Sequence, residues 1–245
     1  MPALADIPAG IKAAQVTTHS HEAVPGPAFN PFKKIGHWDF KRIKAGGTWE
    51  FPEMKGPGCV TSIWMTVAGR ILEVFARYRV PAHRYLYINI FYDGLQTPAV
   101  RAPIGHFFGN GAARYVHFSS KFVGMTSGGY YSFLPMPFRE SCRIVMENRH
   151  PSRAIPLFYG AVTYHQFDEF DSETGYLHAQ FNKKTFKNSP PVRGATIGNT
   201  PHIILDESGG PGHYVGMNLT IYPDNFFSRF KIPYFGFPYL EGNLK

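Results

Sequence analysis

Most of the chain shows the two-residue alternation of hydrophobic and polar positions that is typical of β-strands. In the run RYLYINIFY, Leu86, Ile88 and Ile90 share one face, and Asp93-Gly94 then supply a turn signal. Similar strand patterns occur at residues 59–67, 142–147, 156–165 and 213–222. The spacing predicts about nine or ten short strands separated by turns, and therefore an all-β protein of the sandwich or jelly-roll type.

Other segments break this pattern and suggest the domain organisation. Residues 1–45 are interrupted by prolines and are predicted to be irregular. Residues 70–78 (RILEVFARY) have apolar positions at helical spacing, although a decorated loop would also fit. Residues 183–200 are polar and rich in proline and glycine, which predicts a linker. We therefore expect a first jelly roll over residues 46–182 and the opening strands of a second, incomplete jelly roll over residues 201–245.

The composition fits a folded protein without a disulfide framework. Hydrophobic residues make up 44% of the chain and charged residues 17%, with 25 glycines and 21 prolines for turns. Cys59 and Cys142 lie in apolar strand patterns and are expected to be buried free thiols. No apolar run is long enough to cross a bilayer, and the N-terminus has no signal-peptide pattern. We therefore expect a cytoplasmic protein with no membrane partner.

The formal net charge of +8 raises the question of a nucleic-acid partner. The lysines and arginines are scattered, however, and no nucleic-acid-binding motif accompanies them. A solvated basic surface, or one facing an acidic partner, is the better interpretation, and we expect no nucleic acid. His165, Asp168 and Glu169 could be drawn as metal ligands, but their spacing matches no recognised site. Neither a metal nor another cofactor is expected.

Five segments, taken in order along the chain, carry a family resemblance. They are residues 56–66 (GPGCVTSIWMT), 92–94 (YDG) with 102–109 (APIGHFFG), 130–138 (YYSFLPMPF) with its continuation to Glu147-Asn148, 175–180 (GYLHAQ) and 212–216 (GHYVG). In this order they resemble landmarks of glycoside hydrolase family 172, over roughly residues 40–245. The resemblance implies a double jelly roll assembled into trimers or hexamers. It also implies a carbohydrate substrate, an α-D-fructofuranoside or a D-arabinofuranoside.

The resemblance further implies a retaining mechanism with two carboxylates. One attacks the anomeric carbon, and the other, kept protonated, donates to the leaving oxygen. The segment YLEGN matches the family's nucleophile segment, which makes Glu241 the candidate nucleophile and Tyr239 a candidate substrate-binding residue. Trp38 and Asp39 are candidate substrate-binding residues near the N-terminus. The competing interpretation of Glu241 is an exposed glutamate without a catalytic role.

Two departures from the family pattern affect the functional prediction. His106 occupies a place where the family carries aspartate, and the acid/base motif expected beyond Glu241 is not found before Lys245. We therefore expect a glycosidase-like protein that is incomplete or inactive as this chain alone, unless a partner chain supplies the proton donor. One alternative is a non-catalytic assembly protein that forms trimers or a larger complex. Another is a carbohydrate-binding module. Trp64 is expected to belong to the core.

Overall fold

The computed structural model describes residues 9–19, 39–67, 82–111, 116–184, 203–206 and 209–220. In these ranges β-strands dominate, and the helices are single turns, α1 (Ala82–Tyr85) and α2 (Ile104–Phe107). The strands are β1 (Ile11–Thr17), β2 (Lys41–Ile43), β3 (Thr48–Glu50), β4 (Met54–Lys55), β5 (Gly58–Val67), β6 (Leu86–Tyr92), β7 (Val100–Pro103), β8 (Phe118–Ser119), β9 (Val123–Thr126), β10 (Gly129–Ser132), β11 (Met136–Phe138), β12 (Ser141–Asn148), β13 (Ile155–Phe167) and β14 (Ala179–Gln180).

The strands of the described ranges form two sheets. The eight-stranded sheet runs in the order β1-β13-β5-β10-β9-β8, with β11 attached to β5 and β2 attached to β13. The six-stranded sheet runs in the order β14-β7-β6-β12-β3, with β4 attached to β12. Neighbouring strands are antiparallel except for β14, which pairs with β7 in parallel. The chain crosses between the sheets several times, whereas the consecutive strands β8 to β11 all belong to the eight-stranded sheet.

The alternation in the sequence decides which side chains face the core. On β6, Leu86, Ile88 and Ile90 are fully buried, as predicted. After this strand, Asp93 (φ 51°) and Gly94 (φ 75°) both adopt left-handed backbone conformations. That geometry is the tight hairpin type of turn that an Asp-Gly pair favours, so the predicted turn is confirmed.

The inner faces of the two sheets form one hydrophobic cluster. Ile63 and Met65 of β5 and Val162 of β13 meet residues of the other sheet, such as Ile88 and Ile144. Aromatic rings fill the space between the sheets, and Tyr92, Tyr130, Phe51, Phe108, Phe138 and Phe158 are among the largest fully buried side chains. Both cysteines are buried free thiols, as predicted. The fold class is confirmed as an all-β jelly-roll sandwich.

Three local predictions differ from the structure. Residues 1–45 were expected to be irregular, but β1 lies within them and pairs along its whole length with β13. The sequence of β1, IKAAQVT, is rich in alanine and shows little alternation, so its pattern is weak. Trp64 was expected in the core, but it is 46% exposed, because Ile63 and Met65 take the inward positions on either side of it.

The third difference concerns the strand predicted at residues 213–222. The described part of this region, residues 209–220, has no strand assignment, and nearly all of it is exposed. A strand is defined by a hydrogen-bonded neighbour, and the pattern alone does not provide one. The predicted helix at residues 70–78 and most of the predicted linker lie outside the described residues.

Candidate functional site

Of the predicted site residues, the structure describes Asp39, whereas Trp38, Tyr239 and Glu241 lie outside the described residues. Asp39 is exposed, and its carboxylate pairs with Nδ1 of His19. Its backbone carbonyl accepts a hydrogen bond of 2.6 Å from the hydroxyl of Thr18, which also contacts Gly160 of β13. Asp39 therefore lies beside the end of β1, in contact with His19, and its predicted role in sugar binding stays a prediction.

Three of the family-like segments meet at the carboxylate of Asp93. The backbone N–H groups of Arg139, Glu140 and Ser141 donate to its Oδ1 at 3.1, 2.7 and 3.0 Å. The hydroxyl of Tyr176 donates to its Oδ2 at 2.5 Å. The turn after β6, the start of β12 and the approach to β14 are thus fixed to one another by a single side chain.

The hydrogen bonds at this junction keep Asp93 ionised and Tyr176 protonated. Partial burial raises the pKa of Asp93, but the Tyr176 hydroxyl and the three backbone N–H groups lower it by more, so the carboxyl stays ionised. Burial and the neighbouring carboxylate raise the pKa of Tyr176 to about 12, so the phenol remains a donor at neutral pH. Sequence analysis recognised Asp93 only as a turn residue. Its aspartate side chain was the available signal, because aspartate in turns commonly binds backbone N–H groups.

A second meeting point lies at α2, in the segment APIGHFFG. The ring of His106 lies 4.6 Å from the ring of Phe181, which in turn lies 6.4 Å from the ring of Tyr87. The side-chain amide of Asn218 donates to the carbonyl of Gly109 at 2.7 Å. We call these five residues the His106 corner. The family-like segment 102–109 thus meets Phe181, directly after segment 175–180, and Asn218, two residues after segment 212–216.

The imidazole of His106 is neutral at neutral pH. Burial lowers its pKa, and the Arg84 guanidinium lowers it further. A neutral imidazole has one donor and one acceptor nitrogen, which suits it to contact hydroxyl groups rather than anions.

Charged groups flank the corner on the outer face of the six-stranded sheet. Glu147 pairs with Arg101 and with Arg149, both at 3.5 Å, and the Arg149 guanidinium lies 4.9 Å from the ring centre of Tyr87. These charged groups pair with one another beside the ring of Tyr87. Aromatic rings next to hydrogen-bonding groups are the chemistry that suits a ligand with an apolar face and several hydroxyl groups.

The carboxyl groups of Glu53 and Asp93 do not suit the role of proton donor in glycoside cleavage. A general acid of this kind needs a carboxyl group whose pKa is raised. The pKa of Glu53 is lowered, chiefly by a hydrogen bond from Lys55. The pKa of Asp93 is also lowered, by the hydrogen bonds of the junction described above. The ranges described also contain no group of three or more His, Cys, Asp and Glu residues arranged to hold a metal ion. None of their helices is long and apolar enough to span a membrane.

Two packed antiparallel sheets with a shared apolar core define this chain as a jelly-roll β-sandwich protein. Its sequence matches the model of the GH172 first beta-sandwich domain over residues 29–188, which is more than half of the chain. The chain therefore belongs to glycoside hydrolase family 172. The matched region contains β2 to β14, the junction at Asp93 and the His106 corner except for Asn218. A search of curated proteins found no match.

Proposed function

We propose that this protein acts on α-D-fructofuranosides or D-arabinofuranosides by a retaining mechanism with two carboxylates. The match to the GH172 first beta-sandwich domain over residues 29–188 is the observation that carries the proposal. The His106 corner supports it, since aromatic rings beside a neutral imidazole and fixed hydrogen-bonding groups suit a sugar. Glu241 is the proposed nucleophile, with Trp38, Asp39 and Tyr239 as proposed substrate-binding residues.

The mechanism assigns different tasks to its two carboxyl groups. Glu241 would attack the anomeric carbon and form a glycosyl-enzyme ester while the leaving oxygen takes a proton. The second carboxyl group would stand about 5 Å away and would later activate the water that hydrolyses the ester. No segment of the 245 residues matches the acid/base motif. The proposal therefore takes the proton donor from a group outside them, such as one on a partner chain.

This division allows the nucleophile to be tested by itself. A dinitrophenyl α-D-arabinofuranoside has a leaving group that departs without protonation, so the first step needs only the nucleophile. The second step still needs a base, and the glycosyl-enzyme should therefore accumulate. Mass spectrometry of the intact chain and of its peptides should show one arabinofuranosyl group on Glu241.

Two variants make this experiment decisive. Glu241→Gln should abolish the labelling, whereas Glu169→Gln, which alters an exposed glutamate elsewhere, should leave it unchanged. The corresponding α-D-fructofuranoside, used in parallel, distinguishes the two substrate classes. Labelling that persists in Glu241→Gln, or no labelling with either sugar, would contradict the proposed nucleophile.

Exposed apolar side chains favour a second candidate, a role in assembly. Several lie on the stretches 203–206 and 209–220, namely Ile203, Leu205, Tyr214, Val215, Met217 and Leu219. Exposed apolar residues in such number are typical of surfaces that another unit covers. We propose that a neighbouring subunit covers them in the trimers or hexamers that the resemblance to family 172 implies, and light scattering with native mass spectrometry tests the stoichiometry. A monodisperse monomer at micromolar concentration would contradict it.

A further inference from the structure

The outer face of the eight-stranded sheet carries a continuous row of uncharged residues. The strand register aligns them across six strands, in the order Thr17, Ala161, Trp64, Tyr131, Gly124 and Ser119. The adjacent row on one side is Gln15, Thr163 and Ser62, and the row on the other side is Tyr159, Thr66, Gly129 and Thr126. We call these three rows the Trp64 face. None of these positions holds Asp, Glu, Lys or Arg.

Trp64 lies flat on this face because its neighbour is a glycine. A Cβ atom placed on Gly129 would come within 2.7 Å of the indole Nε1 of Trp64 and within 3.1 Å of its Cε2. Any larger residue at this position would therefore push the ring away from the sheet. The underside of the indole packs on the backbone of β10, and 46% of the side chain remains exposed to solvent.

A second ring is held flat in the same way. A Cβ atom on Gly124 would collide with the ring and hydroxyl of Tyr131, so this ring lies over the backbone of β9. Its hydroxyl accepts a hydrogen bond of 3.1 Å from the N–H of Ser120 and donates one of 2.9 Å to the carbonyl of the same residue. Phe133 adds a third ring, 5.2 Å from that of Tyr131 and 50% exposed. The aromatic surface is fixed in place before any ligand arrives.

The chemistry of this surface fits a neutral sugar chain. Sugar rings have an apolar face of C–H groups, which packs on aromatic rings, and a rim of hydroxyl groups. The threonine and serine hydroxyls around Trp64 and Tyr131 can exchange hydrogen bonds with such a rim. The chain carries a net charge of +8, yet its basic residues are excluded from this face. An anionic partner such as nucleic acid would therefore gain nothing from binding here.

We propose that the Trp64 face binds a neutral polysaccharide chain, with Trp64, Tyr131 and Phe133 as the stacking residues. This goes beyond the proposed hydrolysis, because none of the three is among the candidate catalytic residues and binding does not require Glu241. A surface of this kind would keep the protein attached to a polymer. The occupant is a neutral glycan, since the preorganised rings and the uncharged side chains around them match the apolar face and the hydroxyl rim of a neutral sugar.

Affinity electrophoresis and titration calorimetry with the full chain at physiological salt test the proposal. The neutral probes are inulin, debranched arabinan and xyloglucan, and polygalacturonate is the anionic control. We expect binding to at least one neutral probe, with Trp64→Ala weakening it by about tenfold. Gly129→Ala, which keeps Trp64 but lifts its ring, should also weaken binding. Leu95→Ala removes another exposed apolar side chain, from the turn after β6, and should have no effect.

Each other outcome overturns the proposal. Binding to none of the neutral probes, or to polygalacturonate alone, would mean that the face is not a site for neutral glycans. Equal affinity in wild type and Trp64→Ala would place any binding elsewhere. A change of mass in solution for Trp64→Ala, with unchanged glycan affinity, would make the face a contact between subunits. Glu241→Gln should bind the probe like wild type, so this test fails or succeeds independently of the labelling experiment.

Discussion

The two sheets present very different outer faces. On the six-stranded sheet, charges alternate with aromatic rings: Arg143 forms a bidentate pair with Glu50 and lies over Phe91, and Glu147 joins two arginines. On the Trp64 face of the eight-stranded sheet, the corresponding positions hold threonine, serine, alanine, glycine and aromatic residues. The first face consists of groups that satisfy one another in water. The second presents the exposed rings of Trp64 and Phe133 among uncharged side chains, which is why we assign binding to it.

The largest change in stability is expected at the Asp93 junction, which lies at the end of the six-stranded sheet. Asp93→Ala would leave three backbone N–H groups and the Tyr176 hydroxyl without their acceptor. We expect it to lower the free energy of unfolding by about 3 kcal/mol in urea titrations. Asp93→Asn keeps an acceptor oxygen and tolerates the left-handed backbone, so its loss should be smaller. A cost below about 0.5 kcal/mol for Asp93→Ala would show that the junction is not what holds this sheet end.

The contact between His83 and Tyr130 predicts how the stability of the fold depends on pH. His83 of α1 is buried and hydrogen-bonded through Nδ1 to the hydroxyl of Tyr130 on β10. Burial lowers the pKa of His83 from 6.5 to about 4. The unfolded chain therefore binds a proton at higher pH than the folded chain does. The stabilising contribution is complete above the unfolded pKa of 6.5 and is lost as the pH falls towards 4.

We expect the free energy of unfolding to drop by about 2 kcal/mol between about pH 7 and about pH 5 because of His83. Denaturant titrations over this range measure it. His83→Gln retains a polar partner for Tyr130 but does not titrate, so its stability should change much less over the same range. An equal decline in both proteins would assign the pH dependence to other groups.

The smallest effects compare the two outer faces directly. Arg143→Ala removes an ion pair and a cation–π contact, and we expect a loss of about 1 kcal/mol that shrinks at high salt. Trp64→Ala removes a half-exposed ring from a face that does not build the core, and the expected change in stability is about 0.5 kcal/mol or less. Thermal and urea unfolding of both variants measure this difference. A Trp64→Ala variant that is less stable than Arg143→Ala would make the Trp64 face structural.

Local sequence patterns predicted those features of the fold that depend on a single strand or turn. The inward residues of β6, the turn at Asp93-Gly94 and the buried thiols follow from alternation and turn chemistry. Trp64 shows where such reasoning fails. Its hydrophobicity suggested the core, but its position between Ile63 and Met65 already placed it on the opposite face. Position in the alternation was the better guide than residue type.

Contacts between distant segments could not be predicted in this way. The carboxylate of Asp93 binds backbone groups 46–48 residues away and a tyrosine 83 residues away, and no local pattern encodes such partners. The His106 corner likewise depends on β14 and Asn218 reaching α2. For the candidate site, the sequence indicated Asp39 as a substrate-binding residue but gave no sign that its carboxylate pairs with His19. The roles of Trp38, Tyr239 and Glu241 stay predictions.

The pairing of β1 with β13 has a consequence for synthesis on the ribosome. Ile11 lies opposite Phe167, so the pairing of β1 with β13 cannot be completed until more than 150 further residues have been made. β13 also pairs with β5, whose Gly58 lies opposite Gln166, more than 100 residues further along the chain. Long-range strand pairing of this kind is slow and leaves open edges that nascent chains can share with one another. A cell making this protein would need to shield those edges throughout translation, and a prematurely terminated chain would be prone to aggregate.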